Sequence, residues 1–307
     1  MNRTSRISLS ALAGAFAIAT VAQASGSLVS TDWVMNNNRN PDVRVAEVSV
    51  EPGLFERGHV PGAVNLRWHT DLVDPVRRDL VSKEGFEALL SRHGISRETT
   101  VVLYGNHNNW FAAWGVWVFN YYGHDNVKLM DGGRTQWEKE RRTLSTNPVT
   151  PRRTEYRVTQ VHRELRARLA DVLDVAEGNT TTTLVDIRSP DEYTGRIIAP
   201  AGIQELSVRA GHIPGAINVP WGRAVNADDG TFLPSEELRK LYASVGVDGS
   251  RPVITYCRIG ERSSHTWFAL KHILGYEVKN YDGSWTEYGN SVGVPIQNPA
   301  GTVWTGK

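Results

Sequence analysis

Cys257 is the single cysteine among 307 residues, and its neighbours read as a reactive site. It closes the β-branched run Val253-Ile254-Thr255-Tyr256 and precedes Arg258-Ile259-Gly260-Glu261-Arg262-Ser263-Ser264. A lone thiol makes no intramolecular disulfide and completes no multi-cysteine metal site, so neither metal nor cofactor is expected. What remains is nucleophilic chemistry. Backbone N–H groups at a helix start, together with nearby positive charge, stabilise an anion such as a thiolate. Gly260 suits a tight loop, Arg258 and Arg262 supply the charge, and the serine pair suits a helix start. The expectation is a thiolate of depressed pKa rather than an inert buried cysteine.

Such a thiol must be held between a strand and a helix. Short β-branched runs at 43–48, 99–104, 182–187 and 252–256 read as buried strands. Helical segments are expected at 83–93, 110–121, 164–176, 235–245 and 264–274. This alternation predicts an α/β fold with a mostly parallel sheet covered by helices on both faces. In such sheets sites lie at the carboxyl ends of strands, often at a helix N-terminus. Cys257 has that position.

The chain repeats itself once. Gly58-His59-Val60-Pro61-Gly62-Ala63-Val64-Asn65 returns as Gly211-His212-Ile213-Pro214-Gly215-Ala216-Ile217-Asn218, an offset of 212 − 59 = 153. Asp131-Gly132-Gly133 returns as Asp282-Gly283-Ser284, and 101–105 matches 253–257. One repeat of this length means two copies of a whole domain. Gly105 stands where the second copy has Cys257, so thiol chemistry is confined to the second. The division expected is 1–24 leader, 25–146 non-catalytic domain, 147–163 linker and 164–307 catalytic domain.

The N-terminus carries Arg3 and Arg6, an apolar run over 9–21 and then Ala22-Gln23-Ala24. This is the layout of a cleavable secretory signal, cut after Ala24, which places the mature chain in the periplasm or outside the cell. The apolar run is too short for a stable membrane anchor. The 34 Lys and Arg balance 33 Asp and Glu, a net charge of +1. That balance gives no electrostatic case for binding nucleic acid or membranes. The self-contained pair of domains suits a monomer.

Four segments together carry a family resemblance over essentially the whole mature chain. They are 211–218, the run Asp186-Ile187-Arg188-Ser189-Pro190-Asp191-Glu192-Tyr193, the loop from Cys257 to Arg262, and Asp282-Gly283-Ser284-Trp285. In this order, with the first and last echoed in the N-terminal half, they resemble the two-domain rhodaneses. The loop is most similar to that of bacterial thiosulfate sulfurtransferases. The resemblance implies two tandem rhodanese-like domains.

It also implies a mechanism. Cys257 would attack the outer sulfur of thiosulfate, release sulfite and carry a persulfide to cyanide or another thiophilic acceptor, with glutathione or a dithiol protein as alternatives. The amides of Arg258, Ile259, Gly260, Glu261, Arg262 and Ser263 would hold the persulfide as an anion nest. Arg258 and Arg262 would lower the thiol pKa and attract the dianion. Asp186 would support the loop as an acceptor, since a preformed thiolate needs no strong base, and Arg188 would pair with Glu192. Some family members bind substrate through an arginine where this chain has Glu192, so Arg196 and Arg209 become candidates for that contact. His212, Asp282 and Trp285 read as structural. Trp68, Asn109 and Trp110 could reach the pocket from the first domain.

Two rival chemistries share the architecture. Mercaptopyruvate sulfurtransferases have a small, glycine-rich loop, whereas the arginines here suit a doubly charged oxyanion. Cysteine phosphatases and arsenate reductases use Cys-x5-Arg, while four residues separate Cys257 from Arg262. The shorter loop suits one sulfur atom over a tetrahedral anion. A sulfane-sulfur carrier without rapid turnover is the alternative from outside enzymology.

Overall fold

Hydrophobic runs such as Val101-Val102-Leu103-Tyr104 and Val253-Ile254-Thr255-Tyr256 are buried along nearly their full length. Continuous burial requires cover on both faces, and the chain provides it twice. The computed structural model describes residues 26–204 and 206–303. The expected signal segment, 1–24, lies outside them.

The first unit contains β1 (Leu28–Val29), α1 (Thr31–Asn37), β2 (Val43–Ser49), α2 (Leu54–Arg57) and β3 (Val64–Arg67). It continues with α3 (Lys83–Arg92), β4 (Thr100–Tyr104), α4 (Trp110–Tyr121), β5 (Val127–Met130) and α5 (Gly133–Lys139). The second unit repeats this series as β6 (Arg166–Ala167), α6 (Leu169–Ala176), β7 (Thr183–Asp186), α7 (Pro190–Thr194) and β8 (Ile217–Asn218). Then follow α8 (Ser235–Ala243), β9 (Val253–Tyr256), α9 (Glu261–Phe268), β10 (Val278–Tyr281) and α10 (Ser284–Tyr288).

The two five-stranded sheets have orders β1-β5-β4-β2-β3 and β6-β10-β9-β7-β8. Every strand pairing is parallel. Position for position the orders are the same, so the repeat is a repeat of topology. Strands β4 and β9 are central, and the helices after them, α4 and α9, pack on one another. One hydrophobic cluster runs through both units, including Trp114 and Trp117 of the first with Cys257, Trp267 and Phe268 of the second. A shared apolar core fixes the units against each other far more firmly than a polar interface would.

The expected segments are largely present, with two corrections. The helix expected at 164–176 begins only at Leu169, because Arg166 and Ala167 are drawn into β6 beside Asn280 and Tyr281. Sheet pairing overrides local helical pattern there. The helix expected from 264 begins at Glu261, which brings more of the cysteine loop onto a helical turn. Residues expected to form the linker lie along the first unit. Thr154 N–H donates to Ser91 O, Tyr156 N–H to Ser91 Oγ, and His162 N–H to Tyr121 O.

Candidate active site

Cys257 follows the last residue of β9 and is fully buried. Its loop is clamped from the side by the start of α10. Cys257 N–H donates to Ser284 Oγ at 3.1 Å, Trp285 N–H to Cys257 O at 3.0 Å, and Thr286 N–H to Arg258 O at 2.9 Å. Ser284 holds this place with φ 50°, a left-handed conformation that few side chains adopt. Such strain persists only where surrounding contacts over-determine it.

Gly260 turns the loop into α9 with φ 97°. Its N–H donates to Cys257 Sγ at 3.1 Å, and the Ser263 amide also bonds the sulfur. Gly260 O in turn accepts from the N–H and hydroxyl of Ser264, at 3.1 and 2.8 Å. Ser263 Oγ donates to Asn280 Oδ1 at 2.6 Å, which ties α9 to β10. Two amides aimed at one sulfur make a small anion cradle, against the six from Arg258 to Ser263 expected of the loop.

The expected depression of the thiol pKa is not found. Burial pushes the Cys257 thiol up, and the Glu261 carboxylate, with Oε2 3.8 Å from Sγ, pushes it further. Arg262 and the two amides pull it down without prevailing. Desolvation disfavours the charged form more than the cradle favours it.

The charged residues sort differently from the expectation. Arg262 donates to Glu192 through both terminal nitrogens, at 3.0 and 3.2 Å, with both residues buried. Arg188 therefore does not pair with Glu192. It donates to Asp186 at 2.6 Å and to Gly211 O at 2.7 Å, stacked 4.6 Å over Trp285. Asp186 accordingly accepts from Arg188, next to the Tyr256 side chain at the end of β9. Glu192 doubles as the capping residue of α7, accepting from Ser189 N–H at 3.0 Å.

Neither Arg196 nor Arg209 contacts the cysteine loop. Arg196 is exposed and paired with Asp191. Arg209 donates to the carbonyls of Tyr288, Gly289, Ser291 and Val294, the work of a structural brace. Both belong to a segment, 196–210, with no counterpart in the first unit, where Gly58-His59 follows α2 directly. Arg258 Nη1 of the loop donates to Gln204 O of this added segment at 2.8 Å.

His212 builds its turn, with Nδ1 2.7 Å from Tyr193 O, the ring stacked at 3.6 Å on Tyr193, and Nε2 2.9 Å from Gln297 Oε1. Asp282 holds Arg166 through two hydrogen bonds of 2.7 and 2.6 Å, and Arg166 also reaches Asp79 of the first unit at 2.7 Å. Trp285 donates from its ring to Arg209 O.

The first unit contributes a residue that the sequence did not single out. Arg78, in the turn between β3 and α3, has φ 59° and donates to Ile259 O at 3.4 Å. Its guanidinium lies 5.2 Å from the Trp68 ring centre. Burial lowers its pKa, while Glu261, Asp282 and Cys257 oppose that shift in turn. Arg78 also borders a cleft of about 330 Å³ between the units, along with Arg77, Arg166 and Arg168. Cys257 itself is not in that lining. No spacing rule connects position 78 to position 257; only the packing of α4 on α9 brings their turns together.

Of the other expected contributors, Trp68 underlies Arg78, and Trp110 meets Trp221 of the second unit edge-on at 4.8 Å. Asn109 stays inside the first unit. Its Oδ1 accepts from Gly105 N–H and its Nδ2 donates to Met130 O. Asn109 Oδ1 thus caps the Gly105 amide as Ser284 Oγ caps the Cys257 amide in the second unit.

No group of His, Cys, Asp and Glu that could hold a metal ion occurs among the described residues, and no helix there is long and apolar enough to cross a membrane.

Comparison with known proteins agrees with this geometry. Residues 30–140 and 164–291 each match the profile of the Rhodanese-like domain. A Mycobacterium tuberculosis protein named "Putative thiosulfate sulfurtransferase" is 53% identical over 272 residues, covering 88% of this chain and 97% of its own. The Thermus thermophilus "Sulfur carrier protein TtuD" is 52% identical over 275 residues, covering 88% and 95%. Among solved structures, YnjE superposes with a TM-score of 0.76 at 24% identity, covering 88% of this chain and 68% of that one. The anaerobic ergothioneine biosynthesis enzyme of Chlorobium limicola has a TM-score of 0.76 at 24% identity, covering 89% and 70%. At these identities the structures speak for the fold alone.

Proposed function

The chain belongs to the rhodanese family of sulfurtransferases, and from that premise we propose that it is a thiosulfate sulfurtransferase working through a Cys257 persulfide. The observation that carries the reading is the cradle itself: a lone thiol whose sulfur receives the amides of Gly260 and Ser263. In the proposed cycle the Cys257 sulfur attacks the outer sulfur of thiosulfate and sulfite departs. Cyanide or another thiophile then takes the sulfane sulfur.

Thiosulfate is favoured over 3-mercaptopyruvate by the cations around the loop. Arg262 is neutralised by Glu192, so the case rests on Arg258 and Arg78, which among the described residues donate to backbone carbonyls. A dianion fits two such guanidinium groups better than a singly charged keto acid does. The mycobacterial relatives' names point to the same donor. The Thermus relative's name supports a second reading, in which Cys257 holds sulfur for a protein acceptor.

Thiocyanate formation by the purified chain, with thiosulfate and 3-mercaptopyruvate compared as donors, tests the proposal. A preference for mercaptopyruvate would overturn the donor. Persulfide on Cys257 without turnover would favour the carrier, and activity surviving Cys257→Ser would mean another nucleophile. We also propose that 1–24 directs export; the N-terminal sequence of the protein recovered from its native cell decides it, with Ser25 expected first.

A further inference from the structure

Glu261 is buried beside the reacting sulfur yet makes no ion pair among the described residues, while neighbouring Arg262 is committed to Glu192. Its side-chain partner is the thiol, which donates toward Oε2 at 3.8 Å. A carboxylate enclosed in this way is costly unless its site has a use for it. The charged groups facing Glu261 are Arg262 on its own helix, Arg258 on the loop and Arg78 from the first unit. Those facing Cys257 are Glu261, Arg262 and, from the first unit, Arg78.

Resting on the sulfurtransferase reading, we propose that Glu261 is a catalytic residue, the proton acceptor for Cys257 in persulfide formation. The S–H bond of Cys257 breaks and its proton bonds to Glu261 Oε2. The sulfur's electron pair forms a bond to the outer sulfur of thiosulfate, whose S–S bond breaks and leaves its pair on sulfite. Cys257 becomes a persulfide anion beside a neutral Glu261, so the new negative charge meets no carboxylate charge. In the second half the acceptor takes the outer sulfur, the Cys257 thiolate departs, and the proton returns from Glu261. Donor and acceptor balance the electrons without any further oxidant or reductant.

The need for this acceptor follows from burial. A preformed thiolate would require no base, but burial and Glu261 both push the thiol pKa up. The same burial pushes the Glu261 carboxyl up, which makes it a better proton acceptor than an exposed carboxylate.

The test compares wild type with Glu261→Gln by two readouts. One is the thiolate absorbance titration of Cys257, taken as a difference from Cys257→Ser; the other is single-turnover sulfite release from thiosulfate. A lower thiol pKa in the glutamine variant, together with sulfite release slower by about 100-fold at pH 7 and recovering at alkaline pH, is expected. A lower thiol pKa with equal or faster sulfite release would overturn the proposal, leaving Glu261 as an electrostatic neighbour. Glu261→Asp, which retains a carboxylate, is expected to keep more of the neutral-pH rate than the glutamine variant and guards against a folding defect. If wild type releases no sulfite, the donor reading fails on its own. The same comparison with polysulfide as sulfur source then decides Glu261.

Discussion

Both terminal nitrogens of Arg262 donate to the carboxylate of Glu192, so the second arginine of the cysteine loop is tied to α7. The pair anchors the first turn of α9 to the element that follows β7. The loop's shape thereby depends on a residue 70 positions earlier in the chain.

Glu192→Gln leaves Arg262 buried without its counter-charge. Removing one partner of a buried pair costs about 3–5 kcal/mol. Burial by itself would raise the Glu192 pKa, but the hydrogen bonds and charge of Arg262, then Arg188, hold it below the usual 4.5. A depressed carboxylate contributes stability above its unfolded value and loses it as pH falls through the folded value. The melting temperatures of variant and wild type should therefore differ most at neutral pH and converge in acid. A difference unchanged between neutral and acidic pH would show that charge is not what the pair contributes.

Arg78→Ala removes the cation that the first unit lends to the loop. Hydrogen bonds from charged groups contribute about 1.5–3 kcal/mol, which corresponds to a rise of roughly 10- to 100-fold in KM for thiosulfate. Transfer from preformed persulfide to cyanide should be unaffected, as should the melting temperature, since the side chain lies at the surface of the interdomain cleft. An unaltered KM would remove Arg78 from the donor site.

Gly260→Ala tests the cradle. A Cβ at this position would sit 2.6 Å from Trp114 Cζ3 and 2.8 Å from Asp282 Cα, on a backbone with φ 97°. Neither the tryptophan, packed in the shared core, nor the backbone of 282 can yield cheaply. The loop must move instead, and displacements near 1 Å can lower rates by about 100-fold. Loss of sulfite release, in a protein whose circular dichroism remains that of the wild type, is the expected result.

Asp131→Asn probes the seam between units. Asp131 Oδ1 accepts from Phe232 N–H of the second unit at 3.0 Å. Burial pushes its carboxyl up to about 6, against the Phe232 and Gly132 amides. For a raised carboxyl, the stability of the neutral form is fully present below 3.8 and is lost as pH rises through about 6. Asparagine keeps the acceptor oxygen without the charge. Variant and wild type should melt together below pH 4, and the variant should be more stable by on the order of 2 kcal/mol above pH 7. A variant that melts lower throughout would show that ionised Asp131 stabilises the seam.

The amino-acid sequence by itself determined the doubled α/β architecture, the buried strands near 99–104 and 252–256, and the place of Cys257 at the end of the second of them. These are legible because they are local: β-branched runs, helical periodicity and an eight-residue repeat survive in the order of residues. It also marked Gly260 and the short loop, whose length follows from counting. The partners of charged side chains were not legible. Arg188 lies two positions from Asp186 in the chain, whereas Arg262 lies 70 from Glu192, and only the packing of α9 beside α7 brings that second pair together. Arg78 joins the loop because α4 and α9 share a hydrophobic core, a contact across 181 positions with no local signature. The protonation of Cys257 depended on the same packing. Charge counted along the loop predicts a depressed thiol pKa, whereas burial, and the turn of α9 that places Glu261 beside the sulfur, push it up.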